Sequence, residues 1–529
     1  MKVKNIFKIV PVVVTLMLGS CDNFFNPESG DMLLEKDHFK KAPELKAAFI
    51  GVAASFQDVA EHAIIVSELR GQLMEPTVNA PIEFWEVYRY QATNGNSVVA
   101  PDVYYKTIIN CNDFIRHAVA FDREKPGIVA EGLMAGMIAD ALRYRAWCYL
   151  TLGKLYGKAV YYDYAIADYN DISKAKVLGF SELVDELIMN LKTGVGGFNG
   201  LATFDWNDLN NTSDESWNRM GINVNAVMGE LYMWKGDYQQ TVTYLLNILN
   251  NSGNTKTFTL AAYTDKHYEY WRDAFKNAVT STTNEMITVV PYDVDRRQQN
   301  KLQYYFSDKT PNVYYLKPSD TLVAQYKRQV RNDGTGDKWR GETGTYVTQN
   351  GQNYINKYSQ GKEAYEQDAA VPVYRAGDIH LMVAECLNKL GLFTDALAFL
   401  NGGPSGFWDA SGGYFKFPFS NPIYTNNLKE GAGVRGRINL KAVEPGVADS
   451  DPERMKYAID SLIAREVALE CAYEGKHFFT LMRMAGYWNR PEMLADVVAS
   501  KYPEGERNAY RELLLKPENW YIPYDQLNK

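Results

Sequence analysis

The stretch Asp378 to Leu400, DIHLMVAECLNKLGLFTDALAFL, decides the fold. Its apolar positions recur at helical spacing, break at Gly391, and resume from Phe393 through Ala396 to Leu400. Small Ala384 and large Leu387 in the first half face Ala396 and Leu400 in the second, the pattern of a tetratricopeptide-like helix pair. Two further segments repeat the logic. Residues 224–250 carry Ala226, Gly229 and Tyr232, then the turn Lys235-Gly236-Asp237-Tyr238 into a helix from Thr241 to Leu249. Residues 141–192 carry Ala146, Tyr149, Leu152, Gly153, Tyr156 and Gly157. The expected fold class is mainly α, with tetratricopeptide-like repeats separated by long irregular insertions, notably Phe258 to Tyr365 and Gly402 to Val447.

Upstream of the repeats, helical periodicity runs over 41–69, 101–121, 129–157 and 181–192, with Pro101 and Asp102 placed as a helix start. Gly71 to Ala100 is too rich in Pro, Asn and Gly for regular helix. Downstream, helix is predicted from Pro452 to about Trp488, and Trp520-Tyr521-Ile522-Pro523 ends extended.

The N-terminus carries an export signal. Lys2, Lys4 and Lys8 precede an apolar run from Ile9 to Leu18 that is about half the ~20 residues of a membrane span. Leu18-Gly19-Ser20-Cys21 closes it in the manner of a bacterial lipobox. The reading is a signal peptide over 1–20, lipidation at Cys21, a tether over 21–40 and a single body over 41–529. Two or more acyl chains give stable membrane attachment without a spanning helix.

Removing residues 1–20 takes three lysines away, so the formal charge moves from -8 to -11. That balance excludes nucleic acid as a partner, since phosphate binding needs clustered Lys and Arg. Cys111, Cys148, Cys386 and Cys471 each fall in a helical apolar pattern and read as small buried hydrophobes, in preference to two disulfides.

Motifs of catalysis are missing from the sequence: there is no G-x-S-x-G, P-loop, dinucleotide-binding glycine motif or H-E-x-x-H, and six histidines stand singly. Glu466, Glu470 and Glu474 recur every four residues, near Arg465 and Arg483, and read as a structural Arg–Glu network on one helix face. Asp293 with Asp295, and Asp449 with Asp451, have oxygen ligands for a structural calcium, but turn formation is the preferred reading and no cofactor is expected. The positive signal is aromatic: Trp85, Tyr88, Trp206, Trp217, Trp271, Tyr304, Tyr305, Tyr314, Tyr315, Trp339, Tyr346, Trp408 and Tyr414 lie in or near loop-like sequence with interleaved polar residues. Such rings suit a binding site mounted on a rigid scaffold.

Several stretches, in order, resemble the SusD/RagB family of surface lipoproteins. They are Cys21-Asp22-Asn23-Phe24-Phe25; Trp85 through Tyr105 into Ile108-Ile109-Asn110-Cys111-Asn112; Pro372 to Glu385; Arg465-Glu466, Glu470, Glu474-Gly475-Lys476-His477 and Leu481-Met482-Arg483; and Ile522-Pro523. Lys476 stands where the family commonly has arginine and Thr480 where aspartate is usual, which puts one structural ion pair in doubt.

The resemblance implies four tetratricopeptide-like helix pairs packed on a barrel partner, and an opposite irregular half that presents ligand. It implies a non-enzymatic lid that takes nutrient, oligosaccharide first and oligopeptide second, and hands it to a SusC-like TonB-dependent transporter at the outer-membrane surface. It places Arg70, Trp85, Tyr88, Asn94 and Asn96 at the ligand face, with Tyr304, Tyr314 and Trp339 behind them. The alternatives are a tetratricopeptide scaffold that binds only proteins and, third, a glycoside hydrolase with carboxylates that no motif marks.

Overall fold

A computed structural model describes residues 39–523, apart from 211–216, 251–257, 259, 261–266, 277–284, 332, 403–431 and 449. The signal peptide, Cys21, most of the tether, Trp408, Tyr414 and Asp449 lie outside the described residues.

The body is built around α1 (Ala42–Arg70), whose 29 residues are long and apolar enough to cross a membrane. Its packing accounts for that composition: α1 lies against α2 (Ile82–Tyr88), α3 (Asp102–Glu124), α4 (Glu131–Tyr156) and α13 (His477–Trp488). Every residue of α4 from Gly136 to Tyr156 is buried, which suits a helix wrapped by neighbours.

The helix pairs follow. Helix α4 packs on α5 (Phe180–Thr193), with the antiparallel hairpin β2 (Lys158–Tyr161) and β3 (Lys176–Gly179) between them. Helices α6 (Val224–Lys235) and α7 (Tyr238–Leu249) are joined by Gly236, left-handed at φ +82°, and Asp237, which caps α7 by accepting the Gln240 N–H at 3.1 Å. Helices α10 (Ala376–Lys389) and α11 (Phe393–Asn401) form the third pair. Small residues set the approach: a Cβ built on Gly153 would sit 2.3 Å from Phe180, and one on Gly229 2.4 Å from Leu245.

Between these lie α8 (His267–Lys276), α9 (Asp320–Lys327) and short strand pairs: β1 (Met74–Pro76) with β5 (Leu316–Pro318), β4 (Met286–Val290) with β10 (Val371–Arg375), β6 (Val330–Arg331) with β7 (Gly334–Thr335), and β8 (Tyr346–Gln349) with β9 (Gln352–Ile355). The C-terminal part is α12 (Pro452–Glu470), α13, α14 (Glu492–Ala499) and α15 (Glu504–Leu514).

Three readings are corrected. Gly71 to Ala100 contains a helix, α2, because Pro81 opens it and Phe84, Val87 and Tyr88 bury one face. The helix from Pro452 stops at Glu470, and a turn with Tyr473 (φ +63°) and Gly475 (φ +71°) precedes α13. Glu474 therefore stands beyond the helix that bears Glu466 and Glu470. Trp520 belongs to a 3-10 turn from Pro517, and the chain becomes extended only at Tyr521.

The glutamate network is structural, as read, but its cations come from elsewhere. Arg340 bonds Asp337, Glu466 at 2.6 Å and Glu470 at 2.9 Å; Arg375 clasps Glu474 at 2.7 and 2.9 Å and Glu470 at 2.6 Å. Arg435 holds Glu466 at 2.6 Å, Arg437 bridges Glu285 and Glu470, and Lys357 holds Glu474 at 2.6 Å. Five cations face five carboxylates, all buried, so the cluster is neutral. Arg465 is exposed, and Arg483 pairs instead with Glu385. Lys476 keeps an ion pair, with Asp378 at 2.8 Å.

Candidate functional site

A cleft of about 710 Å³ opens beside the N-terminal half of the body. One wall is α1. Asp58, Glu61, His62 and Ile65 are spaced to fall on one helical face, and all four line the cleft. Pro81, Glu83 and Phe84, at the start of α2, form a second side with Ser97, Val98 and Val103. Gln299, Lys301, Tyr305 and Tyr315 come from the insertion between the second and third helix pairs.

Three rings make an apolar wall. Tyr305 and Tyr315 stack with centroids 5.5 Å apart and planes 18° from parallel. Phe84 meets Tyr305 edge-on at 5.3 Å and lies 5.7 Å from Tyr315. Tyr315 is held by main chain: Thr77 donates its N–H to the Tyr315 carbonyl at 2.8 Å as β1 pairs with β5. Both tyrosines are half-buried, so part of each ring faces solvent.

The polar side is unusual for its carboxylates. The Lys301 N–H donates to Glu61 Oε2 at 2.7 Å. Burial pushes the Glu61 carboxyl up to about 7, against the opposing pull of the Lys301 N–H and ammonium. His62 Nδ1 lies 2.9 Å from the Tyr104 hydroxyl, and burial lowers the imidazole to about 4, so it is neutral at physiological pH. The set can accept hydroxyl or ammonium donors and pack against a flat apolar face.

None of the eight ligand residues expected from sequence lines this cleft. Arg70 is buried and spends its Nη2 on the carbonyls of Asn519 and Trp520, each at 2.9 Å, and Tyr521 at 3.3 Å. Tyr88 is buried against Tyr502, 4.8 Å between centroids. Asn96 donates to the Glu83 carbonyl at 2.9 Å and Glu86 at 2.8 Å while its Oδ1 accepts the Val98 N–H, which closes the turn after α2. Tyr314, with φ +51°, turns away from Tyr315 to pack at a tilt on Tyr354, 4.6 Å between centroids, and donate to the Asn353 carbonyl at 2.8 Å. Trp339 is buried under the Arg331 guanidinium, 3.3 Å from the ring centroid.

Trp85 is half-buried edge-on to Tyr88, with the Arg89 guanidinium 5.0 Å above its ring. Tyr304 is half-buried, and Asn94 is exposed. These three keep surface for a ligand.

The missed residues are Phe84, Tyr305, Tyr315, Glu61, His62 and Lys301. Tyr305 and Tyr315 stood in the aromatic pattern one position from the residues chosen. The usable signal was the helical spacing of Asp58, Glu61, His62 and Ile65, a polar face on an otherwise apolar helix.

Asp293 accepts the N–H groups of Asp295 at 2.9 Å and Arg296 at 3.3 Å, and Asp451 caps α12 through Arg454 N–H at 3.1 Å, both turn roles. Among the described residues no group of three His, Cys, Asp or Glu side chains is placed to hold a metal. All four described cysteines are buried and unbridged.

The molecule is thus a helical-repeat body with a ring-walled cleft between its first long helix and its inserted segments. The sequence profile of the SusD family matches residues 204–529, more than half of the chain, and the chain belongs to that family. No functionally curated protein matches it by sequence. Its fold is similar to a SusD superfamily protein from Bacteroides vulgatus, with TM-score 0.65, 15% identity, and coverage of 92% of this chain and 96% of the other. Surface glycan-binding protein A from Bacteroides uniformis is similar at TM-score 0.60, 16% identity and coverage of 92% and 96%. A laminarin-binding SusD-like protein is similar at TM-score 0.55, 13% identity and coverage of 88% and 95%.

Proposed function

We propose that this protein is a non-catalytic nutrient-binding subunit, lipid-anchored through Cys21 at the outer-membrane surface, that captures oligosaccharide in the cleft. As a lid it would pass its cargo to a TonB-dependent transporter. The observation that carries the reading is the stacked Tyr305–Tyr315 pair with Phe84, facing carboxylates across one cleft. Sugar rings pack an apolar face on such aromatics while their hydroxyls bond the polar side. Family membership and likeness in fold to a laminarin-binding protein support it. Trp85, Asn94 and Tyr304 are proposed to meet the outer units of a longer ligand.

Calorimetric titration of soluble protein lacking residues 1–21 with a panel of oligosaccharides tests the reading. Saturable binding without release of new reducing ends is expected. Tyr305→Ala with Tyr315→Ala should weaken it by at least about fivefold, since two ring contacts contribute ~0.5–1.5 kcal/mol each. Unchanged affinity would remove the cleft as the site, and turnover would favour the hydrolase. For the partner, mass spectrometry of the full-length lipoprotein purified from detergent-solubilised outer membranes should find a stoichiometric β-barrel. Soluble proteins in its place would favour the scaffold.

A further inference from the structure

Resting on the capture reading, we infer that the cleft's preferred ligand carries a protonated amine, seated against Asp58, Glu61 and Glu83 with its apolar body on Phe84, Tyr305 and Tyr315. The charge balance of the lining argues for it. Three carboxylates, Asp58, Glu61 and Glu83, line the cleft with one ammonium, Lys301, and without an arginine. His62 contributes no charge at neutral pH. Asp58 meets Lys106 at 3.4 Å, but both side chains are about 60% exposed, so solvent screens that pair. Glu61 accepts the Lys301 N–H, and no second hydrogen bond to this carboxylate occurs among the described residues. The stacked phenol rings offer a cation their negative faces as well.

The same geometry couples capture to a proton. Glu61 is faced by Asp58 on its own helix, by the main-chain N–H and ammonium of Lys301, and by the phenols of Tyr292 and Tyr305, both kept neutral by burial. With its carboxyl near 7, Glu61 is about half protonated at neutral pH. An ammonium beside it favours the ionised form, so binding of an amine that stays protonated through this range, as a lysine side chain does, expels the proton and tightens as pH rises.

The ammonium can belong to an amino sugar or to a lysine side chain, and paired probes separate the two. One pair is a glucosamine oligomer and its N-acetylated counterpart; the other is a short N-acetylated lysine peptide and its Nε-acetylated counterpart. Calorimetry in buffers of different ionisation enthalpy at about pH 7 reads affinity and, for the lysine pair, proton release. In at least one pair the ammonium form should bind about tenfold tighter, an advantage that shrinks in Glu61→Gln. The amide oxygen still accepts the Lys301 N–H, so that variant retains the local structure. Asp58→Asn, at an exposed side chain, should shrink it as well if Glu61→Gln fails to fold. Equal or tighter binding of the acetylated forms overturns the ammonium assignment and leaves capture standing. No binding of any probe or neutral oligosaccharide overturns both.

Discussion

At the scale of single residues, burial sets the chemistry. His477 is buried, and that alone lowers its imidazole to about 3. The unfolded chain therefore binds this proton first as pH falls, and the native state loses stability from about 6.5 down toward about 3. His477→Gln is expected to flatten that acid limb in urea titrations at stepped pH; an unchanged limb would rule His477 out as its source. Trp85→Ala is a surface change by comparison. It should weaken oligosaccharide capture while the melting temperature stays within a few degrees, as measured by titration beside differential scanning fluorimetry. Arg70 is the contrasting case, because its guanidinium serves three carbonyls in a buried pocket. Arg70→Met should cost about 2–4 kcal/mol, read from urea denaturation, since the carbonyls lose their charged donor.

At the scale of elements, close approach is what the repeats require. Gly229→Val should destabilise by about 1–3 kcal/mol in thermal unfolding, because its Cβ would meet Leu245 at 2.4 Å and α6 must move off α7. Most of this level was legible. Long helices with strong periodicity appear within three residues of their expected ends, from Ala42–Arg70 to Phe180–Thr193, because local pattern and tertiary packing agree there. The cleft was not. It is assembled from α1, α2 and an insertion more than two hundred residues away, and whether Tyr304 or Tyr305 faces it depends on a short helix that periodicity over five residues cannot resolve. Tyr314 and Tyr315 were separated by a left-handed φ at a non-glycine residue, which sequence gives no reason to expect. Glu474 misled for the converse reason: its spacing continued a helix that the turn at Tyr473 had ended.

At the scale of the whole molecule, the neutral charge cluster joins the insertion, β10 and α12 into one body. Burial alone would raise the Glu470 carboxyl, but Arg437, Arg375 and Arg340 reverse that and hold it well below the usual range. The unfolded carboxyl takes its proton at higher pH, so this contribution is full above about 4.5 and is lost as pH falls below it. Arg375→Met should cost about 3–5 kcal/mol, because it leaves buried carboxylates uncompensated. Loss of less than about 1 kcal/mol in chemical denaturation would mean that Glu470 and Glu474 find other partners. The Arg70 clasp has a different consequence, one of timing. It joins residues 449 positions apart in the chain, while Ile522 donates its N–H to the Leu155 carbonyl at 2.8 Å. The end of α1, from which the Phe84 segment departs, is thus held by contacts whose loop closure is among the slowest in the chain, so the cleft wall that Phe84 forms is expected to order after the scaffold that bears it.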